Sequence, residues 1–180
     1  RLVSASADEV CVIQRVGEDR PIKRFTEHSR GVMAVEMLPD GQTAVSGSRD
    51  ETLRVWNTET GESLRTLHNH SRDVHAIALQ PGGGALPLIA SASADLTVRF
   101  WQPTIGRMVR FARLPSEPLA IAWAVGGTRL VAGCRDGKVR LIDPLTVKTI
   151  QTFDVSSGWL FTLAVDPLDD HRVAVGGERG

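Results

Sequence analysis

Histidines and aspartates recur along this chain at similar distances, and they are its residues best suited to acid–base chemistry or metal binding. His28 precedes Asp50, His70 precedes Asp95, and a further aspartate stands at Asp136. A buried carboxylate must be paired with hydrogen-bond donors, and histidine N–H groups are suitable donors. Whether these residues do chemistry or hold a structure together depends on the sequence around them.

The strongest candidate for a metal site is the cluster of His68, His70 and His75. No cysteine or carboxylate completes a familiar ligand spacing around these histidines, so we expect no bound metal. Serines are frequent, but none lies in the G-x-S-x-G motif of a nucleophile elbow. We therefore expect neither an enzyme active site in this segment nor a cofactor.

The composition is that of a globular protein without a charge excess. Lys plus Arg and Asp plus Glu both number 21, so the formal net charge is zero and a nucleic-acid partner is not favoured. The two cysteines, Cys11 and Cys134, form no disulfide framework, and no stretch is long and apolar enough to span a membrane. With no visible signal peptide, the sequence slightly favours the cytoplasm.

A seven-residue pattern of small and β-branched residues, ending in aspartate, occurs four times and indicates an internal repeat. The four copies, and a degraded fifth copy, are residues 2–8, 44–50, 89–95, 130–136 and 174–180. The four aspartates are 42, 45 and 41 residues apart. This spacing predicts one repeated structural unit along the whole chain.

Each unit contains four short runs of alternating or β-branched residues, separated by turns rich in glycine, proline, aspartate and asparagine. Helical periodicity is missing throughout, which predicts an all-β protein. The chain divides into a partial unit at 1–27, whole units at 28–69, 70–113 and 114–154, and a partial unit at 155–180. Because the chain begins and ends inside such units, we interpret it as a segment of a longer protein.

These repeats resemble the WD-repeat family of β-propellers, in which a unit of 40–45 residues forms one four-stranded blade. The W-D position of that family is held here by Trp56-Asn57, Trp101-Gln102 and Ile142-Asp143. His28 and His70 match the histidine of the family's G-H pair, although no glycine precedes either of them. The resemblance implies one propeller domain of four-stranded antiparallel blades whose ring is incomplete.

The resemblance also implies a buried network in which a histidine, a strand hydroxyl, the turn aspartate and the tryptophan are hydrogen-bonded. The complete sets are His28 with Asp50 and Trp56, and His70 with Asp95 and Trp101. The hydroxyl comes from Ser46 or Ser48 in the first set, and from Ser91 or Ser93 in the second. Asp136 has no histidine or tryptophan in its unit, so we expect an incomplete network and a less rigid blade there.

In the family, the narrower rim of the ring is the usual docking surface, so the resemblance implies a protein–protein interaction scaffold without catalysis. The rim residues that we expect to bind a partner are Arg49, Arg135, Trp159 and Phe161, accompanied by Met33, His75, Arg30 and Arg72. Arginine and tryptophan are enriched in interface hot spots. The alternative for the two aromatic residues is that they pack between blades.

Two other functions are left open by the sequence. The segment could be a sensor or accessory propeller of a larger signalling protein or enzyme, which predicts a catalytic motif in the adjoining sequence. Alternatively, the central channel could bind a small molecule or nucleic acid, which predicts arginine and aromatic side chains at the ring axis.

Overall fold

The computed structural model describes residues 2–18, 20–82, 84 and 86–178, except for the side chains of residues 170 and 171. Every regular element in these residues is a β-strand, and the strands form antiparallel pairs. No helix in this part of the chain is long and apolar enough to cross a membrane. The protein is therefore all-β, as the missing helical periodicity predicts.

In the described residues, 17 strands form five sheets, and each sheet contains strands that are consecutive in the sequence. The first sheet contains β1 (Leu2–Ala5), β2 (Cys11–Gln14) and β3 (Pro21–Phe25). The second contains β4 (Val32–Met37), β5 (Thr43–Ser48), β6 (Thr52–Asn57) and β7 (Ser63–His68). The third contains β8 (Val74–Leu79), β9 (Ile89–Ser93), β10 (Thr97–Gln102) and β11 (Arg107–Arg113). The fourth contains β12 (Pro118–Trp123), β13 (Leu130–Cys134), β14 (Lys138–Ile142) and β15 (Thr149–Asp154), and the fifth β16 (Leu160–Asp166) and β17 (Asp169–Gly177).

Neighbouring sheets contact each other mainly through their first strands. Strand β4 contacts β8, β8 contacts β12 and β12 contacts β16, while β1 of the three-stranded sheet lies against β4. Within the described residues, no strand pairing joins the first sheet to the last. The architecture is therefore that of an incomplete β-propeller with antiparallel blades, in agreement with the repeat pattern.

Small residues in the second strand of each blade allow the next blade to approach closely. Strands β5, β9 and β13 are buried along their whole length. A Cβ atom added to Gly47 would lie 2.7 Å from the side chain of Val74, and one added to Gly133 would lie 3.2 Å from Leu163. The repeated runs of Gly, Ala and Ser are thus required by close packing between blades.

The last copy of the repeat is shifted by one residue from the alignment of 174–180 with 44–50. The backbone N–H of Glu178 donates to the carbonyl of Trp159, as that of Arg49 does to Gly31. Glu178 therefore occupies the position of Arg49, whereas the sequence alignment places it at Ser48. The shift arises because Gly176 and Gly177 carry no side chain that would mark the register in the sequence.

Candidate partner-binding site

The second sheet contains a buried chain of hydrogen bonds that begins at a tryptophan and ends at an aspartate. The indole N–H of Trp56 donates to Ser46 Oγ at 2.7 Å, and Ser46 Oγ lies 2.7 Å from His28 Nε2. His28 Nδ1 lies 2.7 Å from Asp50 Oδ2. Asp50 also accepts a hydrogen bond from the backbone N–H of Ser29, so the network fixes the loop before β4.

The third sheet repeats this arrangement with nearly the same distances. Trp101 Nε1 donates to Ser91 Oγ at 2.8 Å, and Ser91 Oγ lies 2.7 Å from His70 Nε2. His70 Nδ1 lies 2.8 Å from Asp95 Oδ2, which also accepts a hydrogen bond from the backbone N–H of Ser71. Both sets that the resemblance implies are thus brought together in the structure.

The two histidines in these networks are neutral. Burial lowers the pKa of His28 and of His70, and it outweighs the opposing effect of the neighbouring carboxylates. Burial acts to raise the pKa of Asp50 and Asp95, but hydrogen bonds from threonine and histidine lower it overall. A neutral imidazole therefore donates from Nδ1 to an ionised aspartate, and the serine hydroxyl donates to Nε2.

The two serines of each candidate pair have different roles, and the same division occurs in both sheets. Ser46 and Ser91 join the networks, whereas Ser48 Oγ donates to the carbonyl of Arg30 and Ser93 Oγ to that of Arg72. The latter two serines therefore anchor the loops that precede β4 and β8. The serines of each pair are two residues apart and share one face of their strand, so side-chain alternation could not distinguish them in the sequence.

In the fourth sheet an arginine replaces the missing histidine. Arg140 Nη1 and Nη2 contact the two carboxylate oxygens of Asp136 at 2.9 and 2.5 Å, and Arg140 is 4% exposed. The hydrogen bonds from Arg140 lower the pKa of Asp136. The network lacks a histidine and a tryptophan as expected, but its aspartate is paired. The sequence indicates this arginine as a recurring feature of the repeat, because Arg54 and Arg99 stand at the position of Arg140 in the earlier units, four residues after the turn aspartate.

The expected binding residues lie at one end of the sheets, which we call the upper face. It consists of the loops before β4, β8, β12 and β16 and of the turns that follow β5, β9 and β13. Backbone hydrogen bonds join these segments within each blade, as from Ala94 to Asp73 and from Arg135 to Glu117. All the loops that carry candidate residues therefore belong to one surface.

Five side chains form a continuous row across three blades of the upper face. We call this set the cross-blade row, and its members are His75, Glu117, Arg135, Trp159 and Phe161. His75 Nε2 lies 2.6 Å from one carboxylate oxygen of Glu117, and Arg135 Nη1 lies 2.9 Å from the other. The guanidinium of Arg135 lies 4.0 Å from the ring centre of Trp159. The rings of Trp159 and Phe161 meet edge to face, with centroids 5.9 Å apart.

Glu117 connects the two ends of this row, and the sequence did not single it out as a binding residue. Its carboxylate is shared between His75 of the preceding blade and Arg135 of its own blade. Burial acts to raise the pKa of Glu117, but the hydrogen bonds from Arg135 and His75 lower it. The carboxylate therefore stays ionised and holds two neighbouring side chains in place.

The aromatic end of the row is open to solvent. Trp159 is 39% and Phe161 is 54% exposed. Arg135 covers one side of the Trp159 ring and is itself half exposed. The two aromatic side chains therefore contact each other, and Trp159 contacts Arg135, at the surface of the protein.

The other four expected residues lie outside the cross-blade row. Arg49 Nε is 3.9 Å from Asp73, and Arg72 lines a shallow depression of about 480 Å³ next to His75. Arg30 and Met33 are exposed at the start of the second sheet. These residues extend the surface without contacting Trp159 or Phe161.

Metal and thiol chemistry find no support in the described part of the chain. No group of three His, Cys, Asp or Glu side chains in residues 2–18, 20–82, 84 and 86–178 could hold a metal ion. Cys11 and Cys134 are buried free thiols, and burial raises the pKa of each to about 11. Both cysteines therefore act as small core residues.

The fold and these networks define a partial β-propeller in which two blades each contain a His–Ser–Asp–Trp hydrogen-bond network. The family model for the WD domain, G-beta repeat (WD40), matches residues 19–57, 61–102 and 115–143, which together make up more than half of the chain. The chain therefore belongs to the WD40 repeat family.

Several curated relatives match much of this chain. The WD repeat-containing protein VIP3 of Arabidopsis thaliana is 25% identical over 93% of this chain and 56% of its own length. Eukaryotic translation initiation factor 3 subunit I of Pyricularia oryzae is 31% identical over 72% of this chain and 37% of its own. THO complex subunit 3 of Arabidopsis thaliana is 30% identical over 67% of this chain and 39% of its own. The chain thus spans between about a third and a little over half of these relatives.

Proposed function

We propose that this chain is part of a WD-repeat scaffold that binds a protein partner at its upper face and performs no catalysis itself. The observation that carries the proposal is the cross-blade row, in which charged and aromatic side chains are joined over three blades and the end at Arg135, Trp159 and Phe161 is exposed. Tryptophan and arginine are the residues most enriched in interface hot spots.

The upper face is fixed before any partner arrives, which favours tight binding. Asp50 and Asp95 hold the backbone of the loops at Ser29 and Ser71, and Ser48 holds the loop at Arg30. A surface whose loops are already ordered loses less conformational entropy on association. The buried networks thus support binding indirectly, without contacting the partner.

The relatives support a role in assembly. Two of them carry the names of subunits, one of eukaryotic translation initiation factor 3 and one of the THO complex. The zero net charge of this chain gives no general attraction to phosphate backbones, so a protein is favoured over a nucleic acid as the partner.

The proposal is tested by the variants Trp159→Ala and Phe161→Ala in the full-length protein. A matched control is Phe111→Ala, because Phe111 is an exposed aromatic residue on the outer strand β11 that also contacts an arginine, Arg99. Partners captured from the cells that express the protein are compared between variants, and the Kd of a purified partner is then measured by calorimetry. We expect a roughly 10- to 100-fold weaker Kd for Trp159→Ala and no change for Phe111→Ala. Equal binding by all variants would contradict the upper face as the docking site.

A further inference from the structure

On the upper face, neighbouring blades meet at one repeated pair of positions. The first is the residue before the turn aspartate, and the second is the residue directly before the first strand of the following blade. Between the second and third sheets these residues are Arg49 and Asp73, whose Nε and Oδ2 atoms lie 3.9 Å apart. Between the fourth and fifth sheets they are Arg135 and Trp159, and the guanidinium lies 4.0 Å from the ring centre. At both junctions an arginine side chain therefore crosses from one blade to the next.

The junction between the third and fourth sheets lacks this arginine. Its two positions are held by Ala94 and Glu117, so the first side chain is a methyl group that cannot reach the next blade. The second position still carries an acid, as it does where Arg49 meets Asp73. Ala94 and Glu117 both line the depression of about 480 Å³ on the upper face. The depression therefore lies where the two flanking junctions have an arginine side chain.

The first junction shows that alanine alone does not produce such a site. There Ala7 precedes the turn aspartate and Gly31 precedes β4, so neither an arginine nor an acid is present. A Cβ atom added to Gly31 would lie 3.1 Å from the carbonyl oxygen of Ala7, so the two blades are already close at this point. Among the four junctions of the described residues, only that of Ala94 and Glu117 combines an acid with the absence of the arginine.

The charges that line the depression favour a cation as its occupant. Its carboxylates outnumber its guanidinium groups by three to two, and these groups belong to Glu51, Asp73, Glu117, Arg72 and Arg135. The two carboxylate oxygens of Glu117 each have one partner, His75 or Arg135. An ionised carboxylate has about four lone-pair sites, so each oxygen can accept one further hydrogen bond. Glu117 can therefore bind a second guanidinium while it keeps both of its present partners.

We propose that the depression over Ala94 accepts an arginine side chain of the protein that binds the upper face. The partner's guanidinium pairs with Glu117, in the place that the chain's own arginine has at the flanking junctions. Guanidinium and carboxylate groups form directional, often bidentate hydrogen bonds, so this contact fixes the orientation of the partner as well as its position. The inference rests on the partner-binding function proposed above and names the chemistry that the partner presents.

The test changes Ala94 in the full-length protein and measures the Kd of the partner purified for the upper-face experiment. We expect Ala94→Arg to weaken the Kd roughly 30-fold, because the new guanidinium fills the depression and repels that of the partner. Ala94→Met adds a side chain of similar length without charge, and we expect a loss of at most about 3-fold. Ala7→Arg is the matched control, because it adds the same side chain at the equivalent position of the first sheet and leaves the depression unchanged.

The other outcomes contradict the inference in distinguishable ways. A tighter complex with Ala94→Arg would show that an acidic side chain enters the depression, and equal losses for the two variants would show an uncharged occupant. Unchanged binding by both would show that nothing enters it. If Trp159→Ala weakens binding and Ala94→Arg does not, the arginine contact fails and docking at the upper face stands. If neither variant weakens binding, both proposals fail.

A second measurement needs no partner and uses acetylarginine amide as the probe, with acetylcitrulline amide as its neutral isostere. Each compound is titrated into the isotope-labelled full-length protein, and NMR follows the backbone amide signals of Ala94 and Glu117. We expect saturable shifts with the arginine compound, with a Kd of about 10 mM, and none with the citrulline compound. Ala94→Arg should abolish these shifts. Equal shifts with both compounds, or no saturable shift with the arginine compound, would refute the proposed arginine site.

Discussion

At the scale of single residues, two serines carry more of the structure than their size suggests. Ser46 accepts the indole N–H of Trp56 and contacts His28 Nε2, so its hydroxyl connects two large buried side chains of that blade. Ser91 does the same for Trp101 and His70. Because these groups are buried, water cannot replace the hydroxyl if it is removed.

We therefore expect Ser46→Ala to lower the free energy of unfolding by about 3 kcal/mol, because it leaves the indole N–H of Trp56 and the Nε2 atom of His28 without a hydrogen-bond partner. Ser48→Ala is the comparison variant, with an expected loss of about 1 kcal/mol, because it removes only hydrogen bonds to backbone groups of Arg30, Gly31 and Asp50. Urea denaturation measures both values. Equal losses would mean that the network contributes nothing beyond an ordinary serine hydrogen bond.

The networks also show which site residues can be predicted from the sequence and which cannot. The participation of His28, Asp50 and Trp56 could be predicted, because their types recur at fixed positions in the repeat. The choice between Ser46 and Ser48 could not be predicted, because both lie on the same face of β5 and only the folded structure shows which hydroxyl Trp56 and His28 reach. Glu117 was missed for a related reason: its partners belong to different loops, and only the folded chain brings them together.

At the scale of structural elements, the turn that contains the repeated aspartate adopts a left-handed conformation at one residue in each of the first four sheets. The residue after the turn aspartate has φ of 73° at Glu9, 72° at Glu51, 66° at Leu96 and 74° at Gly137. Only the last of these is the glycine that this conformation favours. The number and type of strands could be predicted from the repeat, but this strain could not, because three of the four residues are ordinary ones.

The substitution Glu51→Gly is expected to raise the free energy of unfolding by about 1 kcal/mol. Glycine has no Cβ atom, so it adopts the left-handed conformation at this position without strain. Glu51 is exposed, so the substitution removes little packing. Gly137→Ala is the opposite test: its Cβ would clash with the carbonyl of Ser156, and we expect a loss of about 3 kcal/mol. Thermal unfolding of the two variants checks the sign of each change.

At the scale of the whole molecule, the interior of the blades and their upper face have different functions. The interior repeats the same network or replaces it, as Arg140 does for histidine in the fourth sheet. On the upper face, equivalent arginines have different surroundings, because Arg49 lies beside Asp73 and Arg135 lies over Trp159. A repeat protein can in this way change its binding surface while each blade keeps the contacts that hold its neighbours.

The buried networks make the stability of the whole molecule depend on pH in two stages. His28 and His70 have lowered pKa values when folded, whereas an unfolded histidine has a pKa of about 6.5. Below about pH 6.5 the unfolded chain therefore binds protons that the folded chain does not, and stability falls by up to about 2.7 kcal/mol per pH unit for two histidines. Asp50 and Asp95 have lowered pKa values, so their contribution is present above the unfolded pKa of about 3.9 and is lost as the pH falls further.

Urea denaturation between neutral and acidic pH measures this dependence, and nitrogen NMR of the imidazoles identifies its source. At about pH 6.5, where an unfolded histidine is half protonated, we expect His28 and His70 to be mainly neutral, with a protonated Nδ1 and an unprotonated Nε2. The hydrogen-bond geometry requires this form, because Nδ1 faces a carboxylate and Nε2 faces a serine hydroxyl. A stability that stays constant from about pH 7 to 5, or imidazolium signals from the folded protein, would show that the histidines are not held neutral by burial.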